Sequence, residues 1–331
     1  MARGSTTPAG WSRVIDDAKR EKQLVVYSAA RGNSVLPQIV GDFERRCGIE
    51  VKLEEARTEV MSGRIRDEQE TKNVRGDVLL NGATAMSMLA RERRFGDLRA
   101  LPNRARVRTE LTIRRGTVPV FVVPYGVLVS TRRVEPDAYP QRWVDLLEPR
   151  WREKILCDDM REIGAGGVLF KAMMDLYGPA YHRSLARLRP CFSLESRVLE
   201  QRVARGEFEI LAPFTWPNIA DLAGQPVAGY IPAEGAPYVQ FEAAVIAGAR
   251  HPNTACLFID FLLSNVAQTA FRSRDFGATV EGIPKSPAYP EISLLATTDP
   301  TQTKRVLGLA RRIYRDVPTS GKSSAIARTR R

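Results

Sequence analysis

Four short segments carry residues suited to holding a ligand: "SAARGNS" (28–34), "NGAT" (81–84), "GAGG" (164–167) and "SLESR" (193–197). Each is built from small or hydroxyl-bearing residues, and each opens a helical pattern. A helix N-terminus presents unpaired N–H groups and a partial positive charge, which suits an anion. Small side chains let that anion approach the backbone. Two readings of any one such turn stand open: half of an anion site, or a tight turn capped by its own serine or asparagine. Arg31 has the same two readings, as a partner for a carboxylate or phosphate or as a solvent-facing turn residue.

Signatures of catalysis are thin. In "GAGGVL", Leu169 stands where the dinucleotide fingerprint needs its last glycine. There is no phosphate-binding G-x-x-x-x-G-K-[ST] and no G-x-S-x-G nucleophile elbow. The only two histidines, His182 and His251, have no flanking nucleophile, which favours structural roles. The pairs Glu54–Glu55 and Asp158–Asp159 are adjacent, and adjacent strand residues point to opposite faces. No catalytic residue is assigned.

Four cysteines (47, 157, 191 and 256) are widely spaced without a C-x-x-C, so a zinc site is not expected and no metal ligand is assigned. Free thiols fit this spacing, or one disulfide, for which Cys157 and Cys191 form the better pair. The 50 Lys+Arg outnumber the 38 Asp+Glu, giving a net charge of +12. The arginines are scattered rather than gathered with aromatics, so a basic surface or an anion-handling protein is expected, not a nucleic-acid binder. No run of about 18 apolar residues suggests a membrane span.

The elements that must position these turns follow from periodicity. Helices are expected at 11–22, about 34–46, 58–72 and from "NGAT" to about 94, with strands at 24–27, 49–53 and 77–80 between them. Asn33 or Ser34 can cap the second helix, and Gly48 ends it. This β-α-β alternation is the pattern of a parallel sheet with helices on both faces. In such sheets ligands bind beyond the carboxyl ends of the strands. An apolar strand at 118–123 continues through "PYG" to 127–130 without Ser/Gly padding, so it reads as a hinge. Beyond it come a strand at 154–157, a helix burying Val168, Leu169, Ala172, Met173 and Leu176, further helices at 180–188 and 196–205, and a strand at 208–212. Near the end come a strand at 240–246 and helices at 253–263, 266–271 and 301–315.

The segment "ARHPNTACLFIDFLLSNVAQ" (249–268) resembles the bacterial extracellular solute-binding proteins of ABC importers, in the branch that includes ferric-iron-binding proteins. "WSRVIDDAKREKQLVVYSAA", "GDFERRCGIEV", "RWVDLLEPRWREKI", "RVARGEFEI" and "VEGIPKSPAYP" agree with it, in order, from Trp11 to about Pro290. The resemblance implies an α/β, two-lobed periplasmic-binding fold of type II, with mixed sheets, crossing strands and hinge closure on a ligand. Lobe 1 is expected at 11–123 plus 242–293, lobe 2 at 124–241 plus 294–316, with a basic tail at 317–331.

The iron-binding branch carries adjacent tyrosines where this chain has Phe214, Thr215 and Trp216. What remains resembles members that bind a phosphonate, sugar phosphate or carboxylate. The resemblance then implies donors from Ser28, Ala29, Asn81, Gly82, Thr84, Gly166, Ser196 and Thr215, charge from Arg31 or Arg197, and walls from Tyr125 and Trp216, in an interlobe cleft. No cofactor is expected. The partners are a small anionic metabolite and, by docking, a membrane permease; the protein is read as a monomer. It also implies a periplasmic location, the signal peptide being absent from the sequence. Ferric iron or a ferric chelate is the alternative cargo, with Tyr27, Tyr125 and Tyr238 as oxygen donors. The alternative class is an enzyme on the same fold, using Glu234 and Glu242.

Overall fold

The computed structural model describes residues 10–30, 33, 35–98, 101–109, 111–193, 196–284, 294–295 and 303–319, the side chains of 196–197 and 303–304 excepted. The chain divides into two units, Met1–Val123 with Val239–Pro290 and Pro124–Tyr238 with Glu291–Arg331.

In the first unit α1 (Trp11–Glu21) buries Trp11, Val14 and Ala18 and leads into β1 (Gln23–Ser28). α2 (Leu36–Cys47) turns Leu36, Ile39, Val40 and Phe43 inward, the stripe expected from their spacing. β2 (Glu50–Glu55) and β3 (Val78–Gly82) pair parallel on either side of β1. Between them runs α3 (Thr58–Glu70), and after β3 comes α4 (Ala83–Arg91). β4 (Val118–Ser130) is one buried strand of 13 residues that carries the chain from the first unit into the second. "PYG" interrupts neither its path nor its burial.

The second unit is built on the later part of β4. β5 (Ile155–Asp158) pairs parallel with both β6 (Cys191–Ser193) and β7 (Ile210–Thr215), and β7 is antiparallel to β4. α5 (Ala165–Arg187) is two helical segments broken at Gly178, whose φ of 70° is left-handed, followed by Pro179. The two helices expected here therefore meet end to end. Val168, Leu169, Ala172 and Met173 are buried as expected, but Leu176 is 43% exposed, two residues before the break that turns the helix axis. α6 (Ser196–Ala204) follows β6, and β8 (Val227–Tyr230) adds a second antiparallel neighbour to β4.

β9 (Tyr238–Val245) completes the first unit's sheet antiparallel to β3, pairing Val78 with Val245 and Gly82 with Phe241. The sheet is therefore mixed. α7 (Pro252–Leu262) packs on α1, and α8 (Asn265–Arg272) follows. The Glu21 carboxylate, 232 and 233 residues away in the chain, accepts the Asn253 and Thr254 N–H groups at the N-terminus of α7. α9 (Thr303–Ile313) packs on α5 in the second unit.

One face of the first sheet gives Tyr27, Leu79, Ala244 and Ile246 to a core with Met61, Ile65, Met86 and Leu89 of α3 and α4. The second unit has its own core around Trp143, Trp151, Phe170, Phe192 and Tyr314. Burial of this much apolar surface is the main stabilising contribution in each. The four cysteines are free thiols. Cys157 pairs in register with Phe192 and Cys191 with Leu156, so the two thiols lie on opposite faces of the β5–β6 pair; of the two alternatives, thiols or one disulfide, the structure has thiols.

Candidate functional site

The carboxyl ends of β1, β2 and β3 meet at one end of the first unit's sheet. Ala29 N–H donates to the Leu80 carbonyl at 2.8 Å and Ala56 N–H to the Ser28 carbonyl at 3.1 Å, which sews the three strand ends together. Ser28 is fully buried and its hydroxyl accepts from Ala30 N–H at 3.1 Å, a local turn bond. Asn33 caps the next helix: its Oδ1 accepts from Val35 and Leu36 N–H, while its Nδ2 is buried with no partner among the described residues. Arg31 lies outside the described residues.

Asn81 is the penultimate residue of β3 and is completely buried. Its Oδ1 accepts from the Thr58 hydroxyl at 3.1 Å, on the first residue of α3, and from Gly82 N–H at 2.8 Å. Its Nδ2 has no partner among the described residues. Gly82 stands at the N-cap of α4, no side chain caps that helix, and Thr84 sits half-buried in its first turn. A buried donor is thus held against two helix N-termini.

Asn81 pairs in register with Glu242 of β9. The two side chains share the face that Leu79 and Ala244 give to the α3–α4 core, and directly opposed Cβ atoms lie about 5 Å apart. Glu242 is fully buried. Its Oε1 receives Arg114 Nη1 and, at 2.9 Å, Gln240 Nε2. Gln240 also donates to the Thr112 carbonyl at 2.7 Å and accepts from Thr112 N–H, so the loop carrying Arg114 is tied to β9 at both backbone atoms of Thr112. Burial pushes the Glu242 carboxyl above its ordinary range despite Arg114 and Gln240, and its Oε2 completes no hydrogen bond. The Thr117 hydroxyl faces the same carboxylate and favours its charged form, also without a completed hydrogen bond.

The second unit's turns are organised differently. Gly166 N–H, at the N-terminus of α5, donates to Asp158 Oδ2 at 2.7 Å. A Cβ on Gly166 would stand 2.4 Å from the Asp158 carbonyl oxygen, so this glycine is required by close backbone packing. Its N–H serves the protein's own carboxylate. Asp159 turns the other way and binds Arg161 through two 2.8 Å bonds. Tyr125 and Thr215 pair in register; Thr215 is half-buried, and burial raises the Tyr125 phenol with Asp158 adding to the shift. Trp216 is 6% exposed and lies over Gly126 and Gly229, where no side chain intervenes. Ser196 and Arg197 begin α6, and their side chains lie outside the described residues.

Among the expected site residues, the first unit therefore gathers Ser28, Ala29, Asn81, Gly82 and Thr84 at its strand ends. The second gathers Tyr125 and Thr215 on paired strands and packs Trp216 inward. The sequence reading missed Arg114 and Gln240 altogether. Arg114 lies in an arginine-rich stretch with no periodic signal, and only the β9 register reveals its partner.

The carboxylates of the enzyme alternative are both engaged. Glu234 receives the Tyr177 hydroxyl, Arg142 and Trp143 N–H; burial alone would raise it, but these bonds hold it low. His182 is buried between the Phe170 carbonyl and the Tyr314 hydroxyl, and His251 binds Asp77. Among the described residues no three His, Cys, Asp or Glu side chains are grouped to hold a metal. Tyr27 donates to Glu68 at 2.6 Å, and burial with that partner raises its phenol far above the ordinary value.

Residues 24–277 match the family model of the bacterial extracellular solute-binding proteins. The chain belongs to this family. Its fold is shared with iron-bound HitA from Pseudomonas aeruginosa (19% identity, 88% of this chain and 99% of that one, TM-score 0.74). It is also shared with AfuA from Actinobacillus pleuropneumoniae with fructose-6-phosphate bound (20%, 89% and 99%, TM-score 0.76) and with the ferric binding protein from Campylobacter jejuni (14%, 89% and 99%, TM-score 0.73). At these identities the likeness establishes the mixed α/β periplasmic-binding-protein fold and not the cargo. No curated protein matches the chain. As a solute-binding protein of this family, the chain works by holding a small ligand.

Proposed function

We propose that this solute-binding protein serves an ABC importer in the periplasm, and that its cargo is a small organic anion: a phosphonate, a sugar phosphate or a carboxylate. One observation carries the reading. The buried Asn81 Nδ2 has no partner among the described residues and stands against the uncapped N-terminus of α4 and the first residue of α3. A buried donor left unpaired costs about 1–3 kcal/mol, and an anion accepting from it removes that cost. Arg114 adds a guanidinium with only Nη1 engaged among the described residues. The fructose-6-phosphate held by AfuA is of the same chemical class.

The ferric reading lacks this support. Thr215 and Trp216 occupy the positions where the iron-binding branch has tyrosines, and burial holds the Tyr27 and Tyr125 phenols protonated. The enzyme reading lacks it too, since Glu234 and Glu242 are each tied to an arginine.

Calorimetric titration with an alkylphosphonate, glucose 6-phosphate, succinate and ferric citrate tests the proposal. Saturable binding of one of the three anions, weakened about tenfold or more by Asn81→Ala, is the expected result. Tight uptake of ferric ion with no response to the anions would refute it. Recovery of a chemically altered ligand would move the protein into the enzyme class.

A further inference from the structure

Asn81 and the start of α4 lie at the carboxyl end of β3; at the other end of that strand a cavity opens. It holds about 480 Å³ and is lined by Gln69, Lys72, Val74, Ala247, Gly248 and Arg250, all of the first unit. One wall is the end of α3 and the chain leading into β3, and the other is the turn from β9 into α7. Hydrogen bonds fix both walls. Gln69 Nε2 donates to the Arg94 carbonyl at 2.9 Å and to the Ala247 carbonyl at 3.0 Å. The buried Asp77 carboxylate holds His251 through its N–H at 3.0 Å and its Nδ1 at 2.9 Å, which anchors the far end of the turn. Gly248 has a φ of 85°, and a Cβ there would stand 3.2 Å from Val74, so the turn requires glycine.

The cavity carries two cations. Lys72 and Arg250 are exposed, and neither has a carboxylate within ion-pair distance among the described residues. The acids on the adjoining chain serve other groups: Glu68 takes Tyr27 and Arg75, Glu70 takes Arg94, and Asp77 takes His251 and Val25 N–H. Arg250 is held in one orientation, with Nε donating to the Val74 carbonyl at 2.9 Å and Nη2 to Asn73 Oδ1 at 3.0 Å, and its Nη1 has no partner among the described residues. Lys72 has a φ of 53° just past the end of α3, a conformation in which glycine is the favoured residue. The Thr71, Asn73 and Lys72 N–H groups take the Asp67, Glu68 and Gln69 carbonyls, so the lysine ammonium is not needed to satisfy them. We propose that Lys72 and Arg250 form a second anion site, which takes a phosphate group at the end of the sheet opposite the cargo. A fixed guanidinium and a mobile ammonium lining one cavity match the several oxygens of a phosphate. The phosphate has two sources of the same chemistry, a soluble ester or the headgroup of an anionic lipid. The site stands whatever the cargo is.

Backbone amide NMR on the full chain tests it, following residues 69–74 and 247–250 during titration with glycerol 1-phosphate at constant ionic strength. Saturable shifts at these amides are expected, and the same shifts in Asn81→Ala. Lys72→Gly should weaken the binding about tenfold, the order for one charge-assisted hydrogen bond, yet melt no lower than the wild type because glycine suits the left-handed position. Sedimentation with phosphatidylglycerol vesicles, against phosphatidylcholine vesicles, separates the sources. Capture by the anionic vesicles alone, lost in Lys72→Gly, assigns the headgroup; ester binding without capture assigns the soluble phosphate. The proposal is overturned if neither probe engages these residues, or if sodium chloride of equal ionic strength reproduces the shifts. An affinity that Lys72→Gly leaves unchanged overturns it as well. None of these results touches the cargo reading, which is tested at Asn81.

Discussion

The two units solve one local problem in opposite ways. Each has strands whose carboxyl ends run through small residues into helices. At the end of β3 the first unit leaves the Asn81 amide open against α3 and α4. At the end of β5 the second unit fills the α5 N-terminus with Asp158. The α5 N-terminus is satisfied by the protein's own carboxylate, whereas under the proposed function the α4 N-terminus takes its charge from the cargo. A strand-turn-helix pattern with glycines is therefore not sufficient to mark an anion site; what decides is whether a carboxylate from the preceding strand reaches back to the first turn.

The largest expected effect is at the closed end. Gly166→Ala would drive a Cβ to 2.4 Å from the Asp158 carbonyl, against backbone that cannot rotate away. We expect a loss of about 3 kcal/mol in urea unfolding, the upper part of the overpacking range. A loss below about 1 kcal/mol would mean the turn is more pliant than its packing implies.

The units also differ in their response to acid, almost as strongly. His182 in the second unit is depressed to about 4 by burial, from an ordinary value of 6.5. The unfolded chain binds that proton first, so His182 costs stability as pH falls from 6.5 toward 4, on the order of 3 kcal/mol in all. In the first unit burial raises Glu242 and Asp260, and raises Asp275 to about 6. Those groups have the opposite sign: their contribution is fully present below the ordinary carboxylate range and is lost as pH rises through the shifted values. Hydrogen exchange, corrected for intrinsic rates, should show α5 protection falling and α7 protection holding or rising as pH drops from 6.5 to 4. Parallel loss in both would sink the contrast.

A third variant probes the open end. Arg114→Ala leaves Glu242 buried without its cation. Because the arginine is partly exposed, the expected loss is about 2 kcal/mol, below the range for a fully buried pair. It should shrink at low pH, where Glu242 protonates. A pH-independent loss would show that Arg114 acts by packing alone.

Smaller still, Asp158→Asn should cost about 1 kcal/mol, as for other helix caps. Its use is diagnostic: if phosphate protects this variant against unfolding and not the wild type, the carboxylate alone separates the two ends. Last, no shift in melting temperature is expected on adding a reductant, since the four thiols are free and Cys157 and Cys191 face apart. A reductant-sensitive melt would contradict the β5–β6 register.

Much of the fold was readable because the amphipathic stripes are strong. The run of Leu36, Ile39, Val40 and Phe43 places α2 within two residues at its start. Other elements carried no such signal. β6 has three residues, too few for alternation, and the four residues of β8 are all half-buried, so neither shows a period of two. The extended path expected through "PYG" is one strand, with Pro124 inside β4, which runs on to Ser130. At the candidate site Asn81 and Gly82 were legible as turn residues. Arg114 and Gln240 were not, because their meaning lies in a pairing between β3 and β9 that no local pattern encodes. Asp158 was read correctly as pointing away from Asp159, but its reach to Gly166 depends on how tightly the α5 turn folds back.

The bond between Glu21 and the start of α7 spans 232 residues. During synthesis the first helix and three parallel strands emerge early, yet the antiparallel strand beside β3 and the helix that covers α1 arrive only after the second unit's central strands have been made. The amino-terminal half-sheet must therefore persist unfinished, with the Glu21 acceptor empty, while the second unit's strands are made; that unit waits in turn for α9, which packs on α5. Closing so long a chain segment is entropically slow. Each unit in consequence matures only when a late segment of the chain returns to it, α7 to the first and α9 to the second.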